Sequence, residues 1–251
     1  MENTSLWMLP ALSATGVVAG FLNVLAGGGS LLTLPLLIFL GLPATEANGT
    51  NRIAILVQNF FAVTGFRRSG VFPWRLALLC AAPALAGSLI GANWAVDIDE
   101  ALFRRLLALV MLGVLLFMAV DPVKRLGPRE IAMTPLRVAV LLLTFFVIGI
   151  YGGFIQGGVG FLIISALLVH GLDLVRINAL KVMVILFFTI TALGVFIANG
   201  QVNYGLGLVL AAGNAAGGWF ASHLAVKKGH DWIKRILTLV LVAMAVKLLW
   251  G

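Results

Sequence analysis

The sequence predicts an all-α, polytopic membrane protein made of two inverted repeats, and three observations support this fold class. Of the 251 residues, 61% are hydrophobic and only 10% are charged, whereas a soluble domain typically carries about 25% charged residues. Apolar runs long enough to cross a bilayer follow one another with short connections, as helical spans do. The third observation is a segment that occurs twice, with one ungapped offset of 130 positions from about residue 20 onward.

The duplication is clearest at glycine and polar positions. The residues Gly27, Gly28, Gly41, Leu42, Asn48, Gly70 and Arg105 recur as Gly157, Gly158, Gly171, Leu172, Asn178, Gly200 and Arg235. In both copies the first glycines interrupt a strongly apolar stretch. A glycine-broken hydrophobic segment at matching positions of two halves indicates the binding site of a transporter.

Ten apolar runs are predicted as helices. They lie at roughly 6–26, 30–40, 48–66, 73–96, 101–120, 135–156, 160–170, 178–198, 205–226 and 232–250. The runs at 30–40 and 160–170 would each form a helix only about 16 Å long, half the hydrocarbon thickness. Each is therefore predicted to be a short helix after a glycine break. A re-entrant hairpin and a complete but thin span both remain open.

The charges predict the topology. The connections at 67–75, 121–137 and 227–235 carry clustered Lys and Arg, and we expect them to be cytoplasmic. The repeat counterpart of 67–75 is 197–205, which carries no charge. The basic residues therefore change sides between the halves, and corresponding connections are predicted to lie on opposite faces. The predicted units are a first membrane repeat at 1–120, a cytoplasmic linker at 121–134 and a second repeat at 135–251. Both termini would lie outside.

The acidic residues and the cysteine exclude several functions. All nine Asp and Glu residues fall in a terminus or a connection between spans, so no carboxylate is expected at mid-membrane to bind a metal, sodium or a pumped proton. Cys80 is the single cysteine and cannot form an intrachain disulfide. We therefore expect no metal, no cofactor and no enzymatic activity. The net charge of +8 is assigned to topology and to anionic lipids rather than to nucleic acid.

The polar residues of the interior predict an anion site. The candidate residues are Gly27, Gly28, Gly29, Ser30, Asn48, Asn51 and Arg52 in the first half, and Gln156, Gly157, Gly158, Gly160, Asn178 and Lys181 in the second. Short helices that start near Ser30 and Gly160 expose N–H groups and partial positive charge. Inverted repeats would point these two helix ends at each other, with one cation from each half nearby.

Simpler interpretations of these residues remain open. Arg52 and Lys181 are also compatible with snorkelling to an interface, and Asn48 and Asn178 with helix N-capping. Other glycines are expected to be close-packing sites between helices: these are Gly87, Gly91, Gly113, Gly213, Gly217 and Gly218.

The segment from Gly20 to Asn51, GFLNVLAGGGSLLTLPLLIFLGLPATEANGTN, resembles the first-half signature of the sulfite exporter TauE/SafE family of bacterial permeases. The second-half segment GGFIQGGVGFLIISALLVHGLD is similar, with Val159 in place of a third glycine and Ser165 in place of the proline. The resemblance covers essentially the whole chain. It implies an inner-membrane carrier for sulfite, sulfoacetate or related organosulfonates.

The predicted function is therefore an alternating-access secondary transporter of small sulfur-containing anions. Export is favoured because a negative-inside potential drives anions outward by about 2.3 kcal/mol per charge per 100 mV. A passive anion channel, a proton-coupled importer and an intramembrane enzyme that acts on a lipid phosphate are the alternatives. The expected partners are the small anion and membrane lipids, and a homodimer is left open.

Overall fold

The computed structural model describes residues 8–70, 72–119 and 134–250, and every regular element in these ranges is an α-helix. In chain order the helices are α1 (Met8–Leu25), α2 (Ser30–Phe39), α3 (Ala44–Arg68), α4 (Trp74–Val96), α5 (Glu100–Ala119), α6 (Pro135–Phe154), α7 (Val159–Val169), α8 (Leu174–Ala198) and α9 (Tyr204–Trp250). The all-helical fold class is thereby confirmed. The linker predicted at 121–134 lies outside the described residues, except for its last residue.

Four of these helices, α1, α4, α6 and α8, are long and apolar enough to cross a membrane. The two short helices predicted from the glycine breaks are present: α2 has 10 residues and α7 has 11. The helix bounds also follow the repeat. Helices α3 and α8 both have 25 residues, with starts and ends 130 positions apart, and α4 and α9 begin with the same offset.

The prediction of two helices and a connection after residue 204 is wrong. The runs at 205–226 and 232–250 belong to one helix of 47 residues, which also contains the connection predicted at 227–235. In the first half Asp99 accepts the N–H of Leu102 at 3.0 Å and starts α5 as a cap. Its repeat partner is Gly229, and a single internal glycine costs a helix only about 1 kcal/mol. Without a capping side chain, the helix continues.

Glycine-lined contacts join the halves. Helix α1 packs along α9 and α4 packs along α6, with glycine backbone against carbonyl oxygen. A Cβ atom on Gly87 would overlap the carbonyl oxygen of Phe146, and one on Gly217 would overlap that of Val17. The packing interpretation is confirmed for Gly87, Gly91, Gly213, Gly217 and Gly218. It is wrong for Gly113, where an added Cβ atom would have no described atom within 4 Å. Helices α3 and α8 lie between these pairs and carry most of the buried polar residues.

Candidate substrate site at the two helix breaks

The two glycine breaks are in direct backbone contact. The chain leaves α1 through Gly27 at φ 86° and enters α7 through Gly158 at φ 76°, a backbone region that strongly favours glycine. A Cβ atom on Gly27 would lie 2.5 Å from the Cα of Gly160, and one on Gly160 would overlap the Cα of Gly27. The start of α7 therefore lies against the turn that precedes α2, and only glycine fits at this contact.

The N-termini of both short helices lack a side-chain cap. The N-cap residues are Gly29 and Gly158, and among the described residues no side chain accepts an N–H group in the first turn of either helix. Backbone carbonyls of the preceding turns accept the N–H groups of Leu31, Leu32 and Phe161. By contrast, Asp173 caps α8 by accepting the N–H groups of Val175 and Arg176 at 3.0 Å. The first N–H groups of a helix have no intrahelical partner and carry partial positive charge. The remaining predicted site glycines and Ser30 are buried around these ends.

Arg52 and Asn48 of α3 hold the C-terminal end of α6. Arg52 donates from Nη1 to the carbonyl oxygen of Gly152 at 3.1 Å and from Nη2 to that of Gly153 at 2.5 Å. Asn48 donates from Nδ2 to the carbonyl oxygen of Phe154 at 2.9 Å. These three carbonyls lie in the last turn of α6, where no intrahelical donor is available.

Lys181 and Asn178 of α8 hold the C-terminal end of α1. The Nζ of Lys181 donates to the carbonyl oxygen of Val24 at 2.7 Å, and the Nδ2 of Asn178 donates to that of Leu25 at 3.3 Å. Lys181 also donates to the Oδ1 of Asn178 at 2.7 Å. Each half of the chain thus caps the helix that precedes the break in the other half.

This geometry overturns two of the simpler interpretations. Snorkelling is wrong for Arg52 and Lys181, because both are 0% exposed and bonded to backbone carbonyls. N-capping is wrong for Asn48 and Asn178, because α3 begins after Pro43 and α8 after Asp173. The cations instead offset the partial negative charge that helix C-termini carry. Of the Arg52 nitrogens, only Nε finds no partner among the described residues.

The other predicted amides are buried and only partly hydrogen-bonded. Asn51 accepts the hydroxyl of Thr33 at 2.7 Å, and its Nδ2 has no described partner. Gln156 donates to the hydroxyl of Thr189 at 2.9 Å, and its Oε1 has none. An unsatisfied buried polar atom costs about 1–3 kcal/mol, so these atoms are candidates for ligand contacts.

The sequence analysis missed Thr33 and Asn214 as interior polar residues. Thr33 belongs to α2 and is fully buried, and Asn214 belongs to α9 and is 1% exposed. Each is a polar residue inside an apolar run, which by itself indicates a functional position in a membrane helix. For Thr33 the partner on α3 could not be inferred from the sequence, because it depends on how the short helix packs.

The structure combines apolar helices long enough to cross a membrane, two glycine breaks in contact and a polar interior. This combination is typical of a helical membrane transporter. The comparisons identify the family. The family model of the sulfite exporter TauE/SafE family matches residues 12–248, so the chain belongs to this family.

The relatives agree with this assignment. The chain is 26% identical over 250 residues to "Probable membrane transporter protein ORF9" of Sinorhizobium sp., covering 99% of this chain and 95% of that protein. It is 25% identical to a "Probable membrane transporter protein" of Haemophilus influenzae, covering 97% and 95%. It is 26% identical to "Probable membrane transporter protein YfcA" of Escherichia coli K12, covering 97% and 90%. No solved structure matches the chain significantly.

Proposed function

We propose that this protein is an alternating-access secondary transporter that exports small sulfur-containing anions, such as sulfite, sulfoacetate or related organosulfonates, across the bacterial inner membrane. The observation that carries the proposal is the contact between the two breaks, where Gly27, in the turn that precedes α2, meets Gly160 at the uncapped start of α7. The two halves would be inverted repeats, and both termini would lie outside.

The electrostatics of the breaks favour an anion. The starts of α2 and α7 supply partial positive charge, and their first N–H groups, at Ser30 and Val159, have no backbone or side-chain acceptor among the described residues, so an anion can be bound without a positively charged side chain at the ligand. Arg52 and Lys181 neutralise the C-terminal carbonyls of α6 and α1, which would otherwise place partial negative charge beside the same site. The net field at the breaks is therefore positive. Sulfite and sulfonates present several acceptor oxygens to such donors.

The contact between Gly27 and Gly160 also supports alternating access. Because the breaks touch and are buried, an anion reaches the helix ends only when one repeat moves relative to the other. The hydrogen bonds by which α3 caps α6 and α8 caps α1, here called the exchanged caps, join the two repeats, so this movement requires those bonds to break or to shift with the helix ends. Inverted repeats supply two related arrangements of this kind, one open to each side.

Thermal unfolding of the purified protein in detergent, measured against a panel of anions at fixed ionic strength, tests the proposal. The panel contains sulfite, sulfate, sulfoacetate, taurine, phosphate, acetate and chloride. A ligand that binds only the folded state raises stability by an amount set by its concentration relative to Kd, about 2.7 kcal/mol at 100 times Kd. We expect selective stabilisation by sulfite or a sulfonate. Equal shifts for all anions, or none, would contradict an anion site at the breaks.

Transport direction needs a second measurement. Protein reconstituted in vesicles should carry the stabilising anion in response to an imposed membrane potential, with net movement toward the positive side. Movement that instead requires an imposed proton gradient would identify proton-coupled import.

A further inference from the structure

Three buried amide side chains from three helices meet beside α2. The Oε1 of Gln58 on α3 accepts the Nδ2 of Asn23 on α1 at 3.2 Å and the Nδ2 of Asn214 on α9 at 3.4 Å. Asn23 is 5% exposed, and Gln58 and Asn214 are each 1% exposed. We call these three residues the amide triad.

The internal bonds of the amide triad leave one fully buried donor and one fully buried acceptor without a described partner. Because Oε1 of Gln58 receives both asparagine amides, its Nε2 points away from them and has no partner within the described ranges. The Oδ1 of Asn214 is likewise without a described partner. A buried polar atom without a hydrogen-bond partner destabilises the fold. A group that both accepts and donates a hydrogen bond is complementary to this pair.

The amide triad borders the proposed anion site. A Cβ atom on Gly29, the N-cap residue of α2, would lie 2.6 Å from the Cβ of Asn23. Gln58 lies on the same helix as Arg52, six residues further along. A substrate whose anionic group rests at the N-terminus of α2 therefore has the amide triad as its neighbour on the α1 side.

The repeat shows that the architecture does not require these amides. The positions that correspond to Asn23, Gln58 and Asn214 are Gly153, Phe188 and Ala84 in the other half. There, the Phe188 ring lies against Gly152 and no amide is present. The same helix packing is thus achieved with apolar side chains, and the amide triad needs another explanation.

We propose that the amide triad is a polar subsite that recognises a hydroxyl group on an anionic substrate, as in a hydroxyalkanesulfonate. The hydroxyl accepts from Nε2 of Gln58 and donates to Oδ1 of Asn214, while the sulfonate rests on the N-terminus of α2. This inference rests on the proposed function, because it names a substrate class for the same site.

A matched pair of ligands tests the subsite. In 2-hydroxyethanesulfonate and propane-1-sulfonate, a hydroxyl and a methyl group occupy the same position on the same anion. We expect the full-length wild-type protein in detergent to bind the hydroxyl compound roughly 10-fold more tightly by calorimetry, because the methyl compound leaves both amide atoms unpaired.

Asn214→Leu should reduce this preference to roughly 2-fold or less, since it removes the acceptor and only one long internal bond, of 3.4 Å. Gln58→Leu should do the same, but it also leaves the amides of Asn23 and Asn214 without an acceptor, so its folding is checked by its melting temperature. The matched control is Gln201→Leu. Gln201 donates to the carbonyl oxygen of Val96 at 3.0 Å, has an unpartnered Oε1 of its own and lies outside the amide triad. It should retain the preference.

The outcomes separate the two proposals. If neither of these sulfonates nor sulfite binds the wild-type protein, the proposed function fails. If sulfite binds and neither sulfonate does, the anion site stands and the hydroxyl subsite is wrong. If both bind equally well, or if Asn214→Leu keeps the preference, the anion site stands and the hydroxyl subsite is wrong.

Discussion

The two breaks share one architecture but differ in chemistry. Both are held by an asparagine and a cation from the opposite half, yet Arg52 bonds two carbonyls of α6 whereas Lys181 bonds one carbonyl of α1. Tyr151 donates its hydroxyl to the carbonyl oxygen of Gly157 and so fixes the second break, at Gly157 and Gly158, to the end of α6. Its repeat partner Phe21 instead packs edge-on against Trp232, with ring centroids 6.4 Å apart.

This comparison separates the polar residues that both halves use from those that occur beside one break alone. The exchanged caps occur in both halves, so the fold needs them wherever a helix ends inside the bundle. The amide triad lies beside the first break alone, and the pair of Gln156 and Thr189 beside the second alone. Polar groups without a counterpart are not required by the packing and are the best candidates for recognising one end of an asymmetric substrate.

The largest effect is expected at the contact between the breaks. Gly160→Ala places a methyl group on the Cα of Gly27, and overpacking against a backbone that cannot yield should cost about 3 kcal/mol. We expect a lower melting temperature and loss of the anion-induced shift. Gly194→Ala is the control, because a Cβ there has no described atom within 4 Å and alanine favours the helix. Wild-type stability and binding in Gly160→Ala would show that the breaks do not need to touch.

The exchanged caps should rank next, with similar effects for the two cations. Arg52→Met leaves the carbonyls of Gly152 and Gly153 unpaired and should lower the free energy of unfolding by about 3 kcal/mol, because both lost bonds are charge-assisted. Lys181→Met leaves the carbonyl of Val24 and the Oδ1 of Asn178 unpaired and should cost a similar amount, about 3 kcal/mol, because it too removes two charge-assisted bonds. Denaturant unfolding in mixed micelles measures both.

Arg52→Lys sharpens this comparison, since an ammonium group cannot reproduce the fork of a guanidinium; its cost should fall between zero and that of Arg52→Met. Lys227→Met, at an exposed position, should change stability by no more than about 0.5 kcal/mol. Anion affinity should fall in both cap variants under conditions where they remain folded. Unchanged affinity would mean that neither cation contributes to the field at the breaks.

Tyr151→Phe makes the second break resemble the first. It removes the hydrogen bond to Gly157 while the ring remains, and we expect a loss of about 1 kcal/mol in unfolding free energy. The reciprocal change, Phe21→Tyr, adds a hydroxyl to a ring that packs edge-on against Trp232 and should not stabilise the protein. If Tyr151→Phe is neutral in thermal unfolding, the second break is held by the caps alone.

The smallest effect concerns how α3 and α8 begin. Helix α8 is capped by Asp173 from its own chain segment, whereas α3 is capped by Glu100 at the start of α5, which accepts the N–H of Ala44 at 2.6 Å. Burial raises the pKa of Glu100, but hydrogen bonds from the Ala44 backbone, the Arg104 side chain and the Thr45 backbone outweigh it and leave the pKa below its ordinary value of 4.5.

A depressed pKa means that this stabilisation is present above the ordinary value and is lost as the pH falls through the folded-state pKa. The melting temperature of the wild-type protein should therefore fall more steeply below pH 4.5 than that of Glu100→Gln. Parallel pH profiles for the two proteins would exclude Glu100 as a charged cap.

Much of this protein could be predicted from its sequence. Hydrophobic runs specify helices because the bilayer leaves backbone groups no other partner, and glycine clusters specify where those helices break. These are local properties, and α2, α7 and the matching bounds of α3 and α8 follow from them. The family was also recognisable from the segment between Gly20 and Asn51. The continuous helix α9 could not be predicted, because the charged residues at 227–235 indicated a connection and the absence of a capping side chain there is a weaker signal.

The partners of the polar side chains were decided only by the tertiary structure. The sequence showed that Arg52 and Lys181 lie near the starts of their helices, and this suggested an interface or a ligand. Only the packing of α3 against the end of α6, and of α8 against the end of α1, places unpaired carbonyls within their reach. The amide triad likewise brings together residues up to 191 positions apart, from Asn23 to Asn214. Hydrogen bonds across such distances depend on helix packing, and no local pattern in the chain encodes them.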